Sequence, residues 1–161
     1  RRRIWDTYQH AFADLDWHVG RVAVSIDAAA VTRSHVAAIA PPDLPDAVVQ
    51  LQSGTHYVEA SWPIDTLITM YLTDASPESW TLIDETVRLE VRGARGSFRF
   101  SRLHAAVYAF RASLSAGRRL GEAATEALGI DSGFNPGAEL VALLDEQAIA
   151  WIGRSETGKR R

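Results

Sequence analysis

The side chains able to do chemistry are few and scattered. The chain has five histidines, 20 acidic residues and no cysteine, so disulfides, thiolate metal sites and a cysteine nucleophile are excluded. The histidines are His10, His18, His35, His56 and His104. None stands in the HExxH or HxxxH spacing that lets one helix face hold zinc. His10 and His18 are eight apart on one helical pattern, which turns them about 80° from each other at 3.6 residues per turn. A metal site made by this chain alone therefore needs ligands gathered from separate elements. Asp84 and Glu85 form a carboxylate pair in sequence, but adjacent strand residues point to opposite faces, so turn and solvated-edge roles fit them. There is no nucleophile elbow, phosphate loop or dinucleotide fingerprint. No catalytic residue and no metal ligand is assigned, and a free-standing hydrolase using His56 or His104 ranks only third among the readings.

The concentrated charge is a run of arginines: Arg88, Arg92, Arg95, Arg99 and Arg102. Arginine on a wing can lie along a phosphate backbone, or it can receive an acidic peptide or partner, or it can simply face water. The net charge of −3 weighs against a general nucleic-acid binder. Acidic residues Glu122, Glu126, Glu139, Asp145 and Glu146 in the helices that follow also oppose phosphate.

The elements that position these arginines begin at Thr86. Val87, Leu89 and Val91 alternate with Arg88, Glu90 and Arg92; Phe98 and Phe100 then alternate with Arg99 across a turn bounded by Gly93 and Gly96. Two period-2 runs around a glycine turn predict a β-hairpin. Three helical patterns follow. The first places Leu103, Ala106, Val107, Phe110 and Leu114 on one face and stops at Gly117. The second places Leu120, Ala124, Ala127 and Leu128 on one face. The third starts at Asn135-Pro136, a cap residue followed by proline, and carries Leu140, Val141, Leu143 and Leu144 before a short apolar exit at Ile149 to Ile152. A hairpin followed by three short helices outlines a winged-helix-like domain, and the fold class expected is α+β.

Upstream, Ile4 to Ile26 carries a helical stripe that includes Val19, Val22 and Ile26. Ala28 to Ile39 reads as a second helix stopped by Pro41-Pro42. Val48 to Ala60 offers two strands broken at Ser53-Gly54. A helix starts at Pro63, with Ile64, Leu67, Ile68 and Tyr71 on its buried face, and Trp80 to Asp84 offers a further strand beside the hairpin. The domain organisation expected is a helical arm over 1–40, a connecting segment over 41–79, the winged-helix or peptide-recognition-like domain over 80–152, and a mobile tail over 153–161. At 161 residues the chain holds one ordinary domain or a small domain with an arm. No apolar run is long enough for a membrane span and no signal-peptide pattern opens the chain, so a cytoplasmic location is expected. The first residue is Arg1, not Met, which suggests numbering that begins inside a longer product.

Several segments together resemble a known family. LQSGTHYVEASWPID resembles the leucine-histidine-proline-serine and tryptophan-proline stretch of the HvfC/BufC-like partner proteins, often labelled putative DNA-binding proteins. The LEVRG hairpin, RASLSAGRRLGEAATEA and AELVALLDEQAIAWI are similar to that family's C-terminal half, and ADLDWHVGRVAVSIDAAAV to the helix before it. The resemblance covers most of residues 12 to 152, in pattern more than in identities. The chain departs from it at Gln52 and Gly54, where the family more often has histidine and serine around a proline.

The resemblance implies a non-catalytic partner subunit that pairs with a TIM-barrel multinuclear iron enzyme. Such pairs oxidise cysteines of ribosomally made precursor peptides, as in methanobactin- and bufferin-type pathways, with the iron in the partner and no cofactor in this chain. The leader peptide is taken as an added strand. On that expectation Ser97, Phe98, Arg99 and Phe100 form the receiving strand, and Leu140, Leu143 and Gln147 of the third helix line the groove. A proline at Arg99 is expected to remove a ladder N–H. Trp5, Trp17 and Trp62 are the expected partner-interface anchors, since tryptophan is enriched there. The alternative is a winged-helix DNA-binding transcription regulator.

Overall fold

The computed structural model describes residues 13, 17, 19–22, 24–73, 85–94 and 97–154. Trp5, His10, His18, Arg95 and the expected strand over Trp80 to Asp84 lie outside the described residues. The fold is α+β. In chain order it comprises helical residues 19–22, a short helix α1 (Arg33–Ala37), a 3₁₀ helix (Pro41–Asp46), β1 (Ala47–Leu51), β2 (Thr55–Ala60) and α2 (Ile64–Leu72). Then come β3 (Val87–Ala94), β4 (Ser97–Arg102), α3 (Ala105–Ser115), α4 (Leu120–Ile130), α5 (Pro136–Asp145) and β5 (Ile149–Arg154).

The described strands form two antiparallel sheets. One has the order β2-β3-β4 and the other pairs β1 with β5. The hairpin β3-β4 followed by three helices stands as the alternation predicts. The sheet's third strand is β2, paired from Thr55 opposite Arg92 to Ala60 opposite Val87. The segment over 41–79 is thus no mere connection, since it supplies a strand to each sheet. The apolar exit is itself a strand, and it runs through Gly153 and Arg154, two residues expected in the tail.

The ends of α3 and α5 have identifiable causes. Asn135 accepts a hydrogen bond from the Ala138 N–H at 3.0 Å, and Pro136 opens α5 at the position where its missing N–H costs nothing. Gly117 takes φ 79 after α3; its N–H donates to Leu114 O and that of Arg118 to Ser113 O, a Schellman stop. α5 ends with the same pair of bonds, from Gln147 to Leu144 O and from Ala148 to Leu143 O, but the left-handed residue is Gln147 at φ 56. The predicted helix over Ala28 to Ile39 shrinks to five residues. Residues 25–32 run without regular structure, because Ala28 is held by side-chain bonds to Gln52 and Val31 N–H bonds Ile149 O at 2.9 Å. The first helical stripe likewise ends early: Val22 is fully buried, but Ile26 is exposed.

Two cores result. The first joins Phe110 and Leu114 of α3, Ala123 and Ala127 of α4, Leu140, Leu143 and Leu144 of α5, and Val49 and Ile149 of the small sheet. Burying a residue of Phe110's size contributes about 1.5–3 kcal/mol. The second lies on the other side of the three-stranded sheet, where Val58, Ala60, Val87, Leu89 and Val91 meet Val22, Ile64 and Ile68. Leu128 and Val141, expected inside, are substantially exposed; Ala123 takes the inner position on α4.

Candidate functional site

Strand alternation gives the three-stranded sheet two unlike faces. Register puts Val58 opposite Leu89, and Val91 opposite Phe100, on the apolar face. The other face carries Tyr57 opposite Glu90, Glu59 opposite Arg88, and Arg92 opposite both Thr55 and Arg99. This polar face packs toward α3, and a buried arginine joins them. Arg111 donates from Nη1 to Glu90 at 2.7 Å, from Nε to Glu139 at 2.6 Å and from Nη2 to Glu146 at 3.0 Å. The Arg111 and Glu90 side chains are 6% and 3% exposed. Tyr57 O–H donates to the same Glu90 oxygen at 2.9 Å. Burial works to lower the Arg111 pKa, but its bonds to Glu146, Glu90 and Glu139 outweigh this and raise it above the ordinary arginine value. Burial, reinforced by the Glu90 charge, holds the Tyr57 hydroxyl well above its usual range.

The hairpin arginines are mostly engaged within the fold. Arg88 pairs with Glu59 at 2.5 Å, and Arg102 pairs with Asp65 at 2.6 Å and Glu85 at 2.9 Å. Arg92 donates to the Glu146 carboxylate at 3.3 Å and to its carbonyl at 2.6 Å. Arg99 differs: it is exposed, and it makes no ion pair among the described residues.

Beside Arg99 opens a cleft of about 480 Å³, bordered by Ser97, Phe98, Arg99, Arg92, Gln52 and Gln147. Four residues expected to receive a peptide, Ser97, Phe98, Arg99 and Gln147, are therefore brought together. Phe100 stands next along the strand, its ring 5.4 Å from that of Phe98. Leu140 and Leu143 are not part of this site. They are 5% and 0% exposed in the first core, because the apolar stripe of α5 serves packing. Trp62 is half-buried against the second core, and Trp17, near the first described residues, is 65% exposed.

Among the described residues β4 is an edge strand of the sheet, and the direction of its backbone groups follows from one bond. Leu103 N–H donates to Arg88 O at 2.8 Å, in line with the register that pairs Leu89 with Arg102 and Arg92 with Arg99. Backbone groups alternate sides along a strand. The N–H and C=O of Arg99 and Ser101 therefore turn inward to β3, while those of Phe98 and Phe100 turn outward at the edge. The amide expected to matter at Arg99 belongs to the inner ladder.

Sequence reasoning missed Gln52. It is 3% exposed; its side-chain oxygen accepts from Ala28 N–H at 2.9 Å and its nitrogen donates to Ala28 O at 3.0 Å. Only a primary amide supplies both halves of this clamp, so the departure from histidine at this position carries a structural task. Gly54, the other departure, bonds Gly93 through its carbonyl at 3.0 Å, and a Cβ there would meet the Gly93 carbonyl oxygen. Arg111 was missed too. Its signal is faint: Glu139 and Glu146 lie seven apart and so share a helical face.

Among the described residues no three His, Asp or Glu side chains are grouped to hold a metal ion, and no helix is long and apolar enough to cross a membrane. Fold and site together define an α+β protein whose β4 has an edge open among the described residues, beside a polar cleft. No protein-family model, curated protein or solved structure matches the chain.

Proposed function

We propose that this chain is the non-catalytic recognition subunit of a two-protein, iron-dependent enzyme that modifies cysteines of a ribosomally made precursor peptide. The leader peptide binds as a strand added to β4, the iron sits in a TIM-barrel partner, and the pair works in the cytoplasm. The observation that carries this reading is the outer edge of β4, which pairs with no strand among the described residues and whose outward groups belong to Phe98, beside the cleft, and Phe100. The resemblance of the hairpin and the three helices to the HvfC/BufC-like proteins supports it. So does the engagement of Arg88, Arg92 and Arg102 by carboxylates, which leaves Arg99 alone among the described hairpin arginines to meet a phosphate backbone and weighs against a DNA regulator.

The partner surface is assigned to the exposed apolar residues Trp17, Val24 and Ile26. The test is co-expression with a TIM-barrel multinuclear iron enzyme of the kind the resemblance implies, followed by size-exclusion chromatography. A heterodimer that Trp17→Asp weakens supports the proposal, and a chain that stays monomeric beside the folded enzyme overturns it.

A further inference from the structure

We infer that the peptide taken by β4 carries an acidic residue between two apolar ones, with the acid seated against Arg99. The inference rests on the added-strand reading and specifies its substrate class. With Phe98 and Phe100 turned outward, a strand pairing antiparallel to β4 would exchange its hydrogen bonds with those two residues. Its intervening residue would then face Arg99 at a non-hydrogen-bonded position, where Cα atoms approach to about 4.5 Å and side chains are closest.

Sheet alternation fixes what each position meets. Residues opposite Phe98 and Phe100 continue the face that carries Val91 and the second core, so apolar side chains extend a buried surface. The residue opposite Arg99 lies on the polar face. There Arg99 sits directly across from Arg92, an unfavourable like-charge pair within the sheet. Arg92 is neutralised by Glu146, whereas Arg99 has no carboxylate among the described residues. An incoming carboxylate relieves that repulsion and completes the one hairpin cation the fold leaves unmatched among those described.

The experiment uses the full chain and short fluorescein-labelled synthetic peptides with a central Val-Glu-Val or Val-Lys-Val, followed by fluorescence anisotropy. Val-Glu-Val is expected to bind at least about tenfold more tightly, the scale of one charged hydrogen bond. Arg99→Gln should erase the preference and Arg99→Glu reverse it, with circular dichroism confirming the fold of each variant. A third peptide set carries N-methyl groups. Methylation of either valine amide, which faces β4, should abolish binding, and methylation of the glutamate amide, which faces away, should not. Equal binding of Val-Glu-Val and Val-Lys-Val with sensitivity to valine methylation would overturn the charge pattern and leave strand addition standing. Binding indifferent to methylation, or no binding by any peptide, would overturn both.

Discussion

Arg111 and Glu90 face each other at 2.7 Å across the junction of α3 and the three-stranded sheet, both almost wholly withdrawn from water. This contact joins the two cores: the apolar side of the sheet builds one, the helices build the other, and between them the polar sheet face meets α3 through charge. Removing Arg111 leaves Glu90 and Glu139 without their guanidinium, while Glu146 keeps only its longer pairing with Arg92. Arg111→Leu should therefore cost about 3–5 kcal/mol. Glu90→Gln should cost less, because Arg111 keeps two carboxylates. Urea unfolding of both variants checks the order, and equal losses would refute it.

Tyr57 gives the fold an alkaline limit. Its hydroxyl ionises less readily in the folded chain than its usual value of about 10, because of burial and the Glu90 charge. A raised folded-state pKa means that the unfolded chain loses the proton first. The contribution is thus whole below about pH 10 and lost as the pH climbs toward the folded-state value. Stability should fall with rising pH in that window, and Tyr57→Phe should flatten the fall. Denaturant midpoints at several alkaline pH values measure the slope.

The Gln52 clamp predicts a selective effect. Gln52→Leu keeps the bulk but leaves Ala28 N–H and C=O without these partners, at a cost of about 1–3 kcal/mol. Hydrogen exchange should accelerate at Ala28 before it does so in α3. Uniform acceleration would mean that the clamp belongs to the global fold.

Gln147 holds a left-handed conformation at φ 56 where helices usually place glycine. Gln147→Gly should stabilise the chain by about 1 kcal/mol, since a side chain in that region carries a steric penalty. The same change removes a wall of the cleft, so thermal stability and peptide affinity should move in opposite directions. A lower melting temperature would contradict this account.

What was legible in the sequence was local. The hairpin followed from alternation around Gly93, the stop of α3 from Gly117, the start of α5 from Asn135-Pro136, and the two strands from the break at Ser53-Gly54. Four of the seven expected peptide residues also meet at one cleft. The differences share a cause: helical periodicity is a local signal, and here long-range bonds decide. Ala28 looks helical, yet Gln52, 24 residues away, fixes it extended. Leu140 and Leu143 look available for a groove until Phe110 and Ile149 are seen to cover them. Arg111 reads as an ordinary polar position on α3, because its three carboxylates come from a strand, a helix and the residue closing that helix.

The pairing of β1 with β5 sets an order of assembly. Ala47 lies opposite Arg154, the first and last residues of those strands, whereas the β2-β3-β4 sheet is complete by Arg102. A nascent chain can therefore form the three-stranded sheet while β1 still waits for its mate. Such a large sequence separation slows closure, since loop entropy must be spent before the contact returns anything. During that interval Val49 and the inner face of α3 lack the cover that Ile149 later gives them. The three-stranded sheet closes over short sequence separations, whereas the small sheet that covers the helical core depends on the chain's most distant strand pairing among the described residues.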